Sequence, residues 1–217
     1  MSIGAEVPRD RAKRLLTGRG RFVDDIQLPR MLHLAFVRSP YAHARIEAID
    51  TAGAISMPGV IAVYTAKELE DAVSSWRPEH KLFPTMAAPE QHALAKETAR
   101  WQGEAVAAVV AESRAQAEDA AEHVAVTWHE LPAVTDAKAA LATDAAVLHD
   151  DMTTNLAFST EIVTGDVALA FRDAAHVVEE HFRFNRHSGV SLEPRGIIAE
   201  FEPGENRLTV HQSHQTP

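Results

Sequence analysis

The chain has 217 residues, 46% of them hydrophobic and 24% charged, which is close to globular averages and sets disorder aside in favour of one large or two small folded domains. Its formal net charge of −10, from 31 acidic residues against 21 lysines and arginines, repels phosphate backbones, so nucleic acid is not an expected partner. There is no cysteine, which excludes disulfides, iron–sulfur ligation and thiol catalysis within the chain, and no apolar run approaches the ~20 residues that span a bilayer.

Residues 1–14 are polar and charged where a signal peptide needs an apolar stretch. They read as an extended arm, and the expected address is cytoplasmic, with no membrane partner. Residues 15–22 place Gly18 and Gly20 around Arg19, a pattern for a turn with unusual backbone angles. It is not a phosphate-cradling loop, because the third glycine is missing and no strand precedes it. Residues 31–37 alternate with few charges and predict a largely buried strand; residues 60–64 predict a second. Thr65 and Glu68 form a capping-box pattern at the start of a helix expected to end near Ser74. Residues 75–99, with Pro78, Pro84 and Pro89, read as a long surface loop.

The clearest local signal lies between residues 105 and 128. An apolar run at 105–111 predicts a strand. Ser113 with Gln116 predicts a helix start, and Ala117, Ala120, Ala121 and Val124 follow at helical spacing. Residues 124–128 return as a strand, and the strand–helix–strand order alone does not say whether the two strands are neighbours. An alanine-rich, acidic stretch from 131 to 151 reads as the exit from a first domain. Asp166 caps a second helix with the stripe Val167, Ala170, Phe171 and Ala174. Three strands are expected after it, at 175–184, 196–202 and 207–213, the last two joined by a hairpin loop at 202–206. A sheet that stopped at Pro217 would leave an edge unpaired, so a cut inside a domain is the expectation there.

Twelve histidines raise the question of a metal. His211 and His214 lie three apart on one expected strand, and His176 and His181 five apart on another; odd spacings point each pair to opposite faces. No protein-ligated metal is therefore expected. Glu193 and Arg195, flanking Pro194, form either a substrate-polarising pair or, more commonly for such a pair, an ion pair that holds a turn. Gln215 is a neutral amide near a strand end, able to donate and to accept hydrogen bonds.

Several segments in register resemble one family. Leu16-Thr-Gly-Arg-Gly-Arg-Phe-Val-Asp-Asp-Ile26, Val37-Arg-Ser-Pro-Tyr-Ala-His-Ala-Arg-Ile46 and Met57-Pro-Gly-Val-Ile-Ala-Val63 resemble the opening of a molybdenum hydroxylase large subunit. That is the xanthine dehydrogenase, aldehyde oxidase and carbon monoxide dehydrogenase family. Trp101-Gln-Gly-Glu104 with the strand and helix after it, and Leu131-Pro-Ala-Val134, are similar to the end of its a/b hammerhead domain. Gly165-Asp-Val167, Leu192-Glu-Pro-Arg195 and Ser213-His-Gln-Thr-Pro217 resemble the first stretch of its molybdopterin-binding domain. Tyr41 stands where the family often has histidine, and Ala105 where it often has proline.

The resemblance implies an α+β chain with an N-terminal arm (1–14), a hammerhead domain (15–150) and the start of a cofactor domain (151–217). It implies a molybdenum-dependent hydroxylase or dehydrogenase that acts on a small molecule (an aldehyde, N-heterocycle, purine or carbon monoxide) with water-derived oxygen. The molybdopterin cofactor carries the hard chemistry, while iron–sulfur clusters and FAD are expected only on partner subunits. By the family's motif, Gln215 reaches the apical molybdenum ligand through a hydrogen bond, a catalytic and cofactor-binding role that a neutral amide suits. The family's general base and its glycine-rich pterin segment have no counterpart in these 217 residues, so the rest of the molybdenum subunit is an expected partner. The alternative from a different class is a non-catalytic, stand-alone hammerhead-type binding or scaffold module.

Overall fold

The computed structural model describes residues 3–4, 12–83, 85–185 and 187–214. In chain order it has helix α1 (Ala12–Leu16), a 3-10 turn (Val23–Asp25), strands β1 (His33–Arg38) and β2 (Ala44–Asp50), helix α2 (Ala52–Ile55) and strand β3 (Val60–Thr65). Strands β4 (Thr98–Ala99) and β5 (Ala105–Ala111), helix α3 (Arg114–Ala121), strand β6 (Ala125–Glu130) and a second 3-10 turn (Ala139–Leu141) follow. Helix α4 (Val167–Asp173) and strands β7 (Ile197–Glu202) and β8 (Arg207–Gln212) complete the order. These elements fall into two units, Leu32–Ala175 in one, and Met1–Met31 with His176–Pro217 in the other. The mixture of antiparallel sheets and short helices is the α+β class expected from the sequence.

The larger unit is organised by β5. This strand lies between β1 and β3, antiparallel to both, so its backbone is paired on each side. Val106, Ala107, Ala108, Val109 and Ala111 are all buried, as a near-continuous apolar run requires. On one face, Ala107 and Val109 pack with Ala54, Val63, Ala120 and Val124 into the core, and Val37, Ile49 and Met57 close its rim. The core is made of small side chains, and Val109 is its largest fully buried member; Val106, on the other face of β5, is equally buried. Ala117 and Ala120 let α3 lie close on the sheet for the same reason.

Capping fixes where α3 begins. Ser113 Oγ accepts the Gln116 N–H at 3.3 Å and donates to Gln116 Oε1 at 2.7 Å. The chain then returns as β6, but not beside β5: β6 pairs with β2 in a second sheet ordered β4–β2–β6. The strand–helix–strand unit thus links two sheets.

Four local expectations fail for reasons the structure makes plain. Strand β1 forms as expected but is not largely buried, since Leu34 (53%) and Phe36 (46%) lie exposed on one of its faces; alternation reports that a strand has two faces, not what covers them. The helix expected after Thr65 is a series of turns. The Thr65 amide and hydroxyl both donate to Glu68 at 2.7 and 2.5 Å, as a helix start would, and the Ala72 and Val73 amides return to Leu69. Val73 is 44% exposed, and a helix this short needs a packed face to persist. The strand expected at 175–184 has no ladder partner among the described residues, and Val178 and Phe182 lie exposed; an extended segment becomes a strand only when a neighbour takes its backbone bonds. The arm expected through residue 14 already turns into α1 at Ala12.

The expected turn, helix cap and hairpin are present. Gly18 takes a positive φ of 69° at the first turn. Asp166 caps α4 by accepting the Leu169 N–H at 2.8 Å, although Val167 and Phe171 on its stripe are exposed. In the smaller unit β7 and β8 form a hairpin in register from Ile197↔Gln212 to Glu202↔Arg207, closed through Asn206 at φ 48°. Among the described residues no helix is long and apolar enough to cross a membrane.

Candidate functional site

In the smaller unit Glu193 precedes β7, and His211 and His214 stand at the end of β8. The Glu193 carboxylate does not pair with Arg195 among the described contacts. Its Oε1 accepts the backbone N–H of Val23 at 3.0 Å. Val23 opens a 3-10 turn that is itself closed twice, by Phe22 N–H to Asp25 Oδ2 at 2.9 Å and by Asp25 N–H to the Phe22 carbonyl at 3.1 Å. The expected ion pair is therefore replaced by a charge-assisted bond to a fixed amide. Gly196 follows three residues later against the same turn: a Cβ there would stand 3.3 Å from Val23 Cγ1. The Gly196 carbonyl accepts the Ser213 N–H at 3.0 Å, just beyond the last ladder pair.

His211 is half-buried on β8 and His214 lies exposed past its end. Among the described residues no group of three or more His, Asp or Glu side chains has metal-binding geometry. Gln215, the candidate cofactor contact, lies outside the described residues.

The larger unit holds a second polar cluster that no sequence pattern announced. Arg100 donates to the carbonyls of Leu148 (3.0 Å) and Thr98 (3.1 Å) and pairs with Asp150 at 3.2 Å. Burial, and then the Arg100 charge, push the neighbouring His149 below its ordinary pKa, which favours the neutral imidazole. Asp151 accepts the Glu90 N–H at 3.1 Å and pairs with Arg77 at 2.7 Å; the first bond does most to hold its carboxyl low. Glu90 is held low chiefly by the Ser75 hydroxyl that donates to it. Phe83 and Phe158 stack at 4.1 Å. Between these segments lies a half-open cavity of about 170 Å³ lined in part by His92, Glu97, Trp101, Glu104 and His149. Its residues come from stretches some fifty positions apart, so no local motif marks it.

Residues 17–132 match the family model for the aldehyde oxidase and xanthine dehydrogenase a/b hammerhead domain, and residues 148–217 match that for the molybdopterin cofactor-binding domain. The chain belongs to the aldehyde oxidase and xanthine dehydrogenase hammerhead family. It is 38% identical over 217 residues to the nicotine 6-hydroxylase large subunit of Paenarthrobacter nicotinovorans, covering 99% of this chain and 26% of that protein. It is 37% identical to the carbon monoxide dehydrogenase large chain of Hydrogenophaga pseudoflava, covering 97% and 27%. The solved structure of quinoline 2-oxidoreductase from Pseudomonas putida 86 matches with a TM-score of 0.88 at 39% identity, over 99% of this chain and 27% of that one. The chain thus spans about a quarter of the length of these relatives. By name the first two relatives are large components of multi-subunit enzymes.

Proposed function

We propose that these residues form the hammerhead domain and the opening of the cofactor domain of a molybdenum hydroxylase or dehydrogenase. Such an enzyme hydroxylates an aldehyde, N-heterocycle, purine or carbon monoxide with oxygen taken from water. The observation that carries this reading is the occurrence, in order within one chain, of the two family segments at 17–132 and 148–217. The names of the relatives, an N-heterocycle hydroxylase and a carbon monoxide dehydrogenase among them, support the substrate classes. The remaining cofactor segments, an iron–sulfur subunit and a flavin subunit complete the assembly.

The donor set at the end of β8 fits a molybdopterin group. The cofactor brings the metal's sulfur ligands itself, so the protein needs hydrogen-bonding groups of suitable charge rather than a ligand cage. Gln212, Ser213, His214 and Gln215 form a run of polar side chains with no carboxylate. When bound, the cofactor supplies two-electron oxidation at a carbon centre. Gln215 is the residue assigned to it here: its amide donates a hydrogen bond while adding no charge. Ser213, tied by its N–H to Gly196, sets where that run leaves the hairpin.

The test is to tag the chain in its own host and analyse what purifies with it. The expected product is an assembly with about one molybdenum per copy, together with iron and flavin. Metal-free, flavin-free chain from cells that make active molybdenum enzymes would overturn the reading.

A further inference from the structure

We propose that Glu193 is a positioning residue that fixes Ser213 at the exit of β8, two positions before Gln215 in the sequence. This inference rests on the reading of Gln215 given above. The bond from Val23 N–H to Glu193 joins residues 170 positions apart, so it is tertiary rather than turn chemistry. Its donor is preset, because the Phe22–Asp25 turn is closed by its own two hydrogen bonds. On the acceptor side, Pro194 fixes its own φ and keeps the Glu193 backbone out of the helical region, which narrows the directions its side chain can take.

From Glu193 the constraint runs onward. Gly196 rests against Val23 with no room for a methyl group to spare, and its carbonyl holds the Ser213 amide. Val23, Glu193, Gly196 and Ser213 are thereby linked in one unit through two hydrogen bonds and one close packing contact. Two peptide units, at most about 7 Å of chain, separate Ser213 from residue 215. The β7–β8 ladder cannot fix Ser213 alone, since it ends at Gln212 and a two-stranded hairpin is marginal by itself.

The test compares Glu193→Ala and Glu193→Gln by hydrogen exchange in the 217-residue chain. Without the acceptor, the Val23 and Ser213 amides should exchange about tenfold faster while the β7–β8 ladder amides keep their rates. Glu193→Gln retains an oxygen that accepts the Val23 N–H and should restore both. An unchanged Ser213 amide in Glu193→Ala overturns the proposal, and so does equal acceleration along the whole ladder, which would mean general loosening. In the assembled enzyme, Glu193→Ala should lower kcat about tenfold and add nothing once Gln215→Ala is present, because both act at one point. Additive losses would overturn it. The two readings fail separately: full turnover by Gln215→Ala refutes the role of Gln215, whereas the exchange at Ser213 reports on Glu193 whatever Gln215 does.

Discussion

The Gln116 amide occupies the space that a side chain on Gly59 would enter. Gly59 has φ +79°, its carbonyl accepts the Glu112 N–H at 2.9 Å, and a Cβ there would stand 2.1 Å from Gln116 Nε2. Gln116 is not free to withdraw at no cost, since its Oε1 accepts the Ser113 hydroxyl at the start of α3. Gly59→Ala should therefore destabilise the larger unit by about 1–2 kcal/mol from the left-handed backbone alone, with a further cost at the cap. Urea unfolding of Gly59→Ala, Gln116→Ala and the double variant checks this. The double variant should recover the steric part and keep the backbone part, and strict additivity would count against the contact.

Asn155 is a hub for the segment that leaves the hammerhead match. Its Oδ1 accepts the Leu148 N–H at 3.0 Å, and its Nδ2 donates to the carbonyls of Ala140 (3.1 Å) and Ala146 (2.9 Å). At about 0.5–1.5 kcal/mol for each of three net hydrogen bonds, Asn155→Ala should cost roughly 1.5–4.5 kcal/mol. Asn155→Asp should be no better, because a carboxylate would face two carbonyl oxygens. Limited proteolysis should then cut first within residues 136–158; an unchanged pattern in both variants would remove the hub from the account.

The pH dependence of stability should have two separate acid limbs. His149 is held below its ordinary pKa of 6.5 by burial first and Arg100 second. The unfolded chain therefore takes up this proton before the folded one. The contribution of His149 is complete above about pH 6.5 and declines as the pH falls below it, until the lower folded value is reached. Asp151 and Glu90 are depressed below 3.8 and 4.5, so what they add persists above those values and is lost only at more acid pH. Urea midpoints for His149→Gln should be flat from pH 7 to about pH 5, where the parent chain already falls, with the lower limb kept. An identical upper limb in the variant would assign it to another histidine.

Gln215 carries the functional prediction. In the assembled enzyme Gln215→Ala should lower turnover ~10–100-fold with molybdenum content nearly intact, as is usual when a hydrogen-bonding partner of a metal site is removed. Gln215→Glu should be worse than alanine, since it brings a negative charge beside ligands already rich in electrons. Parallel turnover and metal analysis decide the matter. Turnover equal to the parent in both variants would make Gln215 an ordinary strand-end residue.

Much of this was legible locally. The Ser113 and Asp166 caps and the β7–β8 hairpin rest on interactions close in sequence, and the apolar run of β5 was legible as a pattern although its ladder partners β1 and β3 are distant. The ordered motif series from Leu16 to Pro217 was legible for another reason: the family's residue types stand at matching places along the chain, and the domain matches at 17–132 and 148–217 agree. Other features depended on partners far away in sequence. No strand was expected at β2, whose ladder with β6 carries a bulge, and only pairing put β5 and β6 in different sheets. Residues 66–74 and 175–184 had acceptable local patterns, but the first half-buries only Ala66 and Leu69 and leaves Val73 exposed, and among the described residues the second has no ladder partner. Glu193 finds the Val23 amide 170 residues away, where sequence spacing had pointed to Arg195. Local hydrogen bonds and periodicity are written into neighbouring residues, whereas register, packing and a carboxylate's partner are settled by which surfaces the folded chain brings together.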